Sequence, residues 1–307
     1  MQNKIENAVK EVGKMVFGKE KQIRLALCCL FAGGHLLLED KPGMGKTTLS
    51  QALARVMGLE FSRIQFTSDL LPADILGVTI YDQNQAKFSF HPGPVFSNLI
   101  LADEINRTTP KTQSALLEAM EEGQVSVDGE TRKLPQPFFV IATQNPTSFA
   151  GTYPLPESQL DRFLMRLKIG YPDPEAEREL LQSTEHRVSL DELKQCLTSD
   201  DMKVLHEKIG NVHATDSLLD YVQRLIAYTR QGDKFSFGLS PRGAISLIRS
   251  AKTWAMMDDR SHVLPEDVQM VLPAVTDHRL RAVSDSSGRH GEEHSQRLLS
   301  EVDIVSD

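Results

Sequence analysis

The amino-acid sequence predicts an α/β fold, a doubly wound parallel sheet followed by an all-helical domain. Two observations predict it. As far as residue 172, short continuous apolar runs typical of strands buried on both faces alternate with segments of helical periodicity. After the Pro-rich segment 171–174 the strand runs stop, and helical segments continue to about residue 283. The strand runs are expected at 35–39, 61–67, 98–102 and 138–143.

The helices and hairpins are predicted from spacing and turn residues. Apolar residues recur at helical spacing over 3–16 and 22–32, and the Gly33-Gly34 pair ends the second helix. A third helix, 46–57, follows the first strand. Residues 78–90 and 124–134 each have strand-like runs around a polar turn, so two hairpins are expected as insertions in the sheet domain.

The predicted division of the chain has three parts. An α/β domain covers 1–172, a helical domain covers 173–283, and a tail covers 284–307. The tail begins with a stretch rich in serine, glycine and charge, so it is expected to be mobile.

Composition narrows the functional class. The 307 residues are 40% hydrophobic, enough for a packed core, and the net charge is −8. An acidic total argues against a nucleic-acid substrate, although one local basic channel would be compatible with it. The N-terminus is charged and amphipathic rather than a signal peptide, and no apolar run reaches about 18 residues. Cys28, Cys29 and Cys196 have no CxxC spacing and are expected to be reduced thiols, so a cytoplasmic protein without a membrane span is predicted.

A glycine-bearing loop between the first strand and the following helix predicts phosphate binding. The backbone N–H groups of such a loop wrap phosphates, and the helix N-terminus adds a favourable dipole. Lys46 would reach the β- and γ-phosphates, and Thr47 would bind Mg²⁺. Asp40 stands where the pattern usually has glycine, and we expect it to tolerate a left-handed turn. The alternative is an ordinary glycine turn. The predicted ATP-binding residues here are Asp40, Lys41, Pro42, Gly43, Met44, Gly45, Lys46, Thr47 and Thr48.

Two acidic residues follow the apolar run 98–102. A carboxylate at the carboxyl end of a buried strand lies beside the phosphate loop in such a sheet. Asp103 would therefore hold Mg²⁺ through water, and Glu104 would orient and deprotonate the attacking water. Taken alone, this acidic pair could be a helix N-cap.

The two motifs together resemble the AAA+ superfamily of P-loop ATPases, and longer segments are similar to its MoxR family. Those segments are 35–48, 103–113 (DEINRTTPKTQ), 116–122 (LLEAMEE), 142–146 (ATQNP) and 155–163 (LPESQLDRF). The resemblance extends from about residue 16 to 279. It implies that 1–172 is the nucleotide-binding domain and that 173–283 is its helical lid.

The resemblance also implies roles for single residues. Asn145 matches the polar sensor that helps hold the lytic water, Arg162 the arginine finger acting on a neighbouring subunit's nucleotide, and Arg242 the second sensor. The respective alternatives are a turn residue before proline, an ion pair with Asp161, and a solvated arginine at a helix start. Val16, Phe17 and Gly18 would touch the adenine or simply pack in the core.

His35, beside the phosphate-loop strand, is expected to be packed rather than catalytic. The hairpins resemble the insertions of the helix-two-insert clade, which usually face a pore or a partner. The implied function is an ATPase, with ATP and Mg²⁺, that assembles into a ring, expected to be a hexamer. It would remodel or mature client proteins in a chaperone-like way, working with partners that carry von Willebrand factor A domains. The alternatives are a nucleic-acid translocase and a nucleotide-dependent scaffold without turnover.

Overall fold

The computed structural model describes residues 1–84, 86–145, 153–182, 189–283 and 294–304. Its strands are β1 Leu36–Glu39, β2 Phe61–Gln65, β3 Gly77–Asp82, β4 Lys87–Pro92, β5 Leu99–Asp103, β6 Gln124–Val127, β7 Glu130–Lys133, β8 Phe139–Gln144, β9 Met165–Leu167, β10 Phe235–Phe237 and β11 Arg281–Ala282. Its helices are α1 Gln2–Gly13, α2 Glu20–Phe31, α3 Lys46–Val56, α4 Pro72–Leu76, α5 Pro110–Glu122, α6 Glu157–Leu160, α7 Pro174–Gln182, α8 Ser199–Gly210, α9 Asp216–Thr229, α10 Pro241–Met257, α11 Pro265–Thr276 and α12 His294–Glu301.

The central sheet has five parallel strands in the order β2-β5-β8-β1-β9. The doubly wound parallel sheet is thus confirmed, and four of its strands lie at the predicted apolar runs. The fifth, β9, was not predicted, because its three residues include Arg166 and give no continuous apolar run. Arg166 is nevertheless buried, and its Nη1 donates a 2.8 Å hydrogen bond to Glu39 on β1.

Helices cover both faces of this sheet, and alternate residues of each strand go to opposite faces. Leu36 and Leu38 belong to the larger apolar cluster, which is formed with α1, α2, α3 and the C-terminal helices. Leu37 belongs to a second cluster on the other face, formed with α5 and the segment that leads to β9. Burial on both faces is the reason why the strands read as continuous apolar runs rather than alternating ones.

Both predicted hairpins are confirmed. β3 pairs antiparallel with β4, and β6 pairs antiparallel with β7. The two hairpins also touch each other, because the Arg132 guanidinium lies 4.0 Å from the ring centroid of Phe90. Near the end of the first hairpin, the rings of Tyr81 and Phe88 pack with centroids 5.0 Å apart, and both side chains are exposed. The insertions therefore form one joined surface.

The C-terminal domain is helical, as predicted, with one addition. β10 and β11 form a small antiparallel pair that is too short to produce a strand-like run in the sequence. α10 and α8 pack against α2, so the lid shares the apolar cluster of the sheet domain. Within the described residues, no helix is long and apolar enough to cross a membrane.

The end of the chain differs from the mobile tail that was expected over 284–307. Residues 284–293 and 305–307 lie outside the described residues. Between them α12 packs on α9 and α11, and Leu298 is fully buried. Asp277 fixes the start of α12, because its carboxylate accepts hydrogen bonds from the backbone N–H and the hydroxyl of Ser295. This helix belongs to the packed lid, since its apolar residues have a surface to bury against.

Candidate functional site

The glycine-bearing loop lies between β1 and α3, with its lysine turned inward. Gly43 and Gly45 have φ values of +83° and +80°, a conformation that favours glycine, and α3 begins directly afterwards at Lys46. The Lys46 ammonium donates to the carbonyl of Asp40 and, at 3.4 Å, to the side-chain oxygen of Asn145. Burial lowers the pKa of Lys46, while the carboxylates around it act in the opposite sense. The ammonium is therefore held at the mouth of the loop by groups that a phosphate could replace.

Asp40 does not have the left-handed conformation that was expected of it. The left-handed residues of this loop are the two glycines, Gly43 and Gly45. Its carboxylate instead accepts hydrogen bonds from two backbone N–H groups, 2.9 Å from Lys41 and 2.7 Å from Gly170. The side chain thus ties the start of the loop to the segment that leads into the lid. A glycine at this position could not make these bonds.

The two carboxylates at the end of β5 face the loop from the neighbouring part of the sheet. Asp103 is buried, and its Oδ1 accepts a 2.6 Å hydrogen bond from the Thr143 hydroxyl of β8. Glu104 has φ 57° and ψ 47°, a left-handed conformation that is uncommon for a residue with a side chain. The Glu104 backbone N–H donates to the same Thr143 hydroxyl, at 2.8 Å. Thr143 therefore fixes both acids, a role that its place in an apolar run did not reveal.

Asn145 connects the acids to the phosphate loop. Its side-chain N–H donates a 2.9 Å hydrogen bond to Glu104 Oε1, and its oxygen accepts from Lys46. The Asn145 backbone carbonyl in turn accepts from the buried side chain of Asn106, at 3.1 Å. The structure thus brings together Lys46, Asp103, Glu104 and Asn145, which the sequence places on three separate segments.

Two side chains of β2, which the sequence analysis missed, also reach the acids. Arg63 Nη2 lies 2.6 Å from Asp103 Oδ2, and Gln65 donates a 3.0 Å hydrogen bond to Glu104 Oε2. The signal that could have revealed them is the alternation around buried Ile64, which places two polar side chains on one face of a strand end.

A cavity of about 490 Å³ opens beside the phosphate loop. Of the predicted ATP-binding residues, its lining includes Val16, Phe17, Gly43, Met44, Gly45 and Thr48. The far wall is formed by residues 169–172, where the chain crosses from β9 to the lid; these residues were not predicted from the sequence. Gly18 is not in the lining; it lies against Asp173 and Ala176 at the start of α7, so close that a Cβ would fall 2.6 Å from the Ala176 Cβ. It serves packing between the domains.

The residues present fit a nucleotide and a magnesium ion. A Cβ built on Gly43 or Gly45 would meet nothing within 4 Å, so the loop leaves an open cradle for phosphates. The metal ligands would be the Thr47 hydroxyl in the first turn of α3 and the Asp103 carboxylate, both of them the oxygen donors that Mg²⁺ prefers. Lys41 and Pro42 complete the loop without lining the cavity.

The two predicted arginines lie elsewhere, at a second cavity of about 300 Å³. Arg162 Nη2 lies 2.9 Å from one oxygen of Glu121, and Arg242 donates to the other oxygen. Arg162 precedes β9, and the Leu164 N–H donates to the carbonyl of His35 at the amino end of β1. The phosphate loop follows the carboxyl end of β1, so the arginines lie at the opposite edge of the sheet from their own loop.

Asp161 does not pair with Arg162, which was the alternative interpretation of that arginine. Its carboxylate accepts instead from Arg279 Nε at 2.7 Å and from the hydroxyl of Ser240 at 2.9 Å. The same Ser240 hydroxyl caps α10 by accepting the Gly243 N–H. Asp161 therefore anchors the lid to the sheet domain and sets the start of the helix that carries Arg242.

His35 is held between two backbone groups. Its Nδ1 accepts a 3.0 Å hydrogen bond from the Val140 N–H, and its Nε2 lies 3.1 Å from the carbonyl of Met120. Burial lowers the pKa of His35 to about 4, so the ring is neutral at pH 7. Both ring nitrogens are within hydrogen-bond distance of backbone groups, which agrees with the expected structural role.

Comparison with known proteins adds an independent line of evidence. Residues 35–165 match the family model described as ATPase family associated with various cellular activities (AAA), and residues 227–302 match the AAA lid domain. The chain is 47% identical over 273 residues to the uncharacterized protein YeaC of Bacillus subtilis, covering 89% of this chain and 85% of that protein.

Two further likenesses extend over nearly the whole chain. It is 43% identical over 291 residues to the chaperone MoxR1 of Mycobacterium tuberculosis, covering 92% of this chain and 77% of that protein. The crystal structure of a candidate ATPase from Cytophaga hutchinsonii superposes with a TM-score of 0.88 at 39% identity, covering 99% of this chain and 96% of that one. With its parallel sheet, phosphate loop and helical lid, the chain belongs to the MoxR family of AAA+ ATPases.

Proposed function

We propose that this chain hydrolyses ATP and uses the energy to remodel protein clients. The observation that carries the proposal is the convergence of Lys46, Asp103, Glu104 and Asn145 at one edge of the sheet. Three of the four lie at the carboxyl ends of neighbouring strands, where α/β sheets bind their ligands. Lys46, Asp103 and Asn145 are buried beside an open loop, which supports a site that takes a charged ligand out of water.

Each residue has a distinct part in the proposed reaction. Lys46 leaves the loop carbonyls for the β- and γ-phosphates, which its buried ammonium neutralises. Glu104 accepts the proton of the attacking water, and Asn145, 2.9 Å away, holds the carboxylate in the direction of that water. When bound, Mg²⁺ supplies charge neutralisation at the phosphate oxygens. Thr47 and Asp103 would hold it.

The separable roles of Lys46 and Glu104 provide the first test. Lys46→Ala should abolish nucleotide binding, whereas Glu104→Gln should keep binding and lose turnover by about 10²-fold or more. Calorimetry and phosphate release measure the two quantities. The matched control is Glu118→Gln on α5, an exposed carboxylate with no hydrogen bond or ion pair among the described residues. Normal turnover in Glu104→Gln would show that Glu104 is not the base that activates the attacking water.

The arginines support an assembly in which neighbouring subunits complete each other's sites. Arg162 and Arg242 lie across the sheet from their own phosphate loop, which supports their action on a neighbour's nucleotide. The repeated contact would close a ring, proposed to be a hexamer. In this arrangement Arg162 and Arg242 both act in trans and neutralise charge that develops on the γ-phosphate.

Mixing two inactive variants tests the shared site. Arg162→Ala and Lys46→Ala are each expected to be inactive alone. A mixed ring pairs an intact Arg162 with an intact Lys46 across some of its interfaces, so part of the ATPase activity should return. Native mass measurements confirm that mixed rings form. Mixed rings without any recovered activity would count against a finger acting in trans.

A protein client is favoured over a nucleic acid by the charges of the insertions. The first hairpin has one basic residue among those described, Lys87. The second has Arg132 and Lys133 against Asp128 and Glu130. Arg132 is engaged by Glu130 and by the ring of Phe90, which leaves Lys133 as the exposed cation for a phosphate backbone. The exposed Tyr81 and Phe88 rings offer apolar surface to a polypeptide.

The client class is tested with the Glu104→Gln variant. In the presence of ATP it should retain a discrete protein in a pull-down, and the family-implied partner with a von Willebrand factor A domain is the first candidate. Single- and double-stranded DNA and RNA are titrated in parallel at low salt. Nucleic-acid binding tighter than about 10⁻⁶ M with stimulated ATPase activity would reverse the choice of client. A cytoplasmic location remains a prediction of the same proposal.

A further inference from the structure

The two carboxylates at the end of β5 are joined by side chains of β2. Arg63 donates to Asp103 Oδ2 through Nη2 at 2.6 Å and Nε at 3.2 Å. Arg63 Nη2 also lies 3.1 Å from Gln65 Oε1, and the Gln65 amide nitrogen donates to Glu104. The result is a continuous chain of hydrogen bonds that runs from the expected metal ligand to the expected general base.

Both oxygens of Asp103 are already engaged in this arrangement. Oδ1 accepts from Thr143 inside the sheet, and Oδ2 accepts from Arg63. Asp103 is buried, and a buried carboxylate without a counter-ion is costly. Arg63 supplies that counter-ion, yet 48% of its side chain is exposed, so it can swing into water without unpacking the core.

A metal ion at Asp103 would compete with Arg63 for Oδ2. Arg63 already donates to Oδ2 through two N–H groups, and two cations beside one carboxylate repel each other. The displaced guanidinium would also release the Gln65 oxygen, which loosens the amide that holds Glu104.

We propose that Arg63 is a positioning residue that occupies Asp103 until Mg²⁺ arrives. The proposal rests on the function proposed above, in which Asp103 holds the metal. Arg63 acts through the Asp103 carboxylate, to which it donates from two nitrogens.

The test measures metal binding rather than turnover. A fluorescent ADP analogue reports binding while Mg²⁺ is titrated, and the Mg²⁺ concentration for half-maximal binding is compared between variants. Arg63→Gln removes the competing charge and should lower that concentration about tenfold, because a charge-assisted bond to a half-exposed arginine is lost. Arg63→Lys should stay near the wild type. Arg55→Gln, which removes an arginine that donates to backbone carbonyls away from the site, is the control for overall charge.

A second measurement separates competition from general damage. Without nucleotide and metal, Arg63→Gln should melt at a lower temperature because Asp103 loses its counter-ion, and adding Asp103→Asn should remove this difference. An unchanged or higher Mg²⁺ requirement in Arg63→Gln would overturn the proposal, as would the same melting deficit in the Asp103→Asn background. If the wild-type protein bound no nucleotide with Mg²⁺, the proposed function itself would fail instead.

Discussion

Replacing Glu121 with Gln should allow the subunits to activate each other at a lower protein concentration. In the separate subunit the Glu121 carboxylate holds both Arg162 and Arg242. When subunits assemble, the phosphates of the ATP bound to the neighbour must attract both arginines away from Glu121. The Glu121 carboxylate therefore weakens assembly in the presence of ATP. The variant keeps the shape of the side chain and removes the charge.

The size of the effect follows from exposure. The side chain of Glu121 is 34% exposed, and those of Arg162 and Arg242 are 28% and 48% exposed. Solvent screens such pairs, and each is worth about 0.5 kcal/mol. The two together give about 1 kcal/mol, or about a fivefold lower concentration at half-maximal ATPase activity per subunit.

The assay measures ATPase activity per subunit over a range of protein concentrations, with sedimentation as an independent measure of assembly. Glu118→Gln, on the same helix, removes the same charge without touching either arginine. If Glu121→Gln instead needed a higher concentration than the wild type, Glu121 would be a scaffold that orients the arginines, and the competition described here would be refuted.

Three further predictions concern single contacts. Asn145→Ala should lower kcat about 10²-fold, with nucleotide affinity within a few-fold of the wild type, because Glu104 loses the bond that directs it; a loss of affinity alone, measured by calorimetry, would contradict this. His35 has a pKa of about 4 in the folded protein and an unfolded value near 6.5, so the unfolded chain binds the extra proton between these limits. Stability measured in urea should therefore be level above pH 6.5 and fall by up to about 3 kcal/mol as the pH drops towards 4, a loss that His35→Gln should reduce. Arg260→Ala should cost about 3 kcal/mol in the same assay, because it leaves Asp267, buried and bonded to Arg260 at 2.5 Å through both oxygens, without its partner; a cost below about 1 kcal/mol would show that water replaces the arginine.

Much of the fold could be predicted because burial on both faces leaves a signal along the chain. Four parallel strands and both hairpins can be recognised in the sequence as apolar runs or turn patterns, because each pattern lies within a few consecutive residues. β9 and the β10–β11 pair could not be predicted in this way, because two or three residues carry no periodicity. α12 was missed for another reason: the sequence before it is rich in serine, glycine and charge, and the helix itself is short and packs on α9 and α11.

The sequence by itself determined the chemical kinds of groups at the site and their places at strand ends: the phosphate loop, the acidic pair after β5 and the polar residue after β8. Only the tertiary structure decided which groups meet. In the structure Arg63 and Gln65 contact the two acids, and Gly18 lies against the start of α7. Arg162 and Arg242 lie together, across the sheet from Lys46. The physical reason is that a motif fixes backbone direction over a few residues. Contacts between side chains far apart in sequence depend on strand order, register and the docking of the lid, which the whole chain settles together.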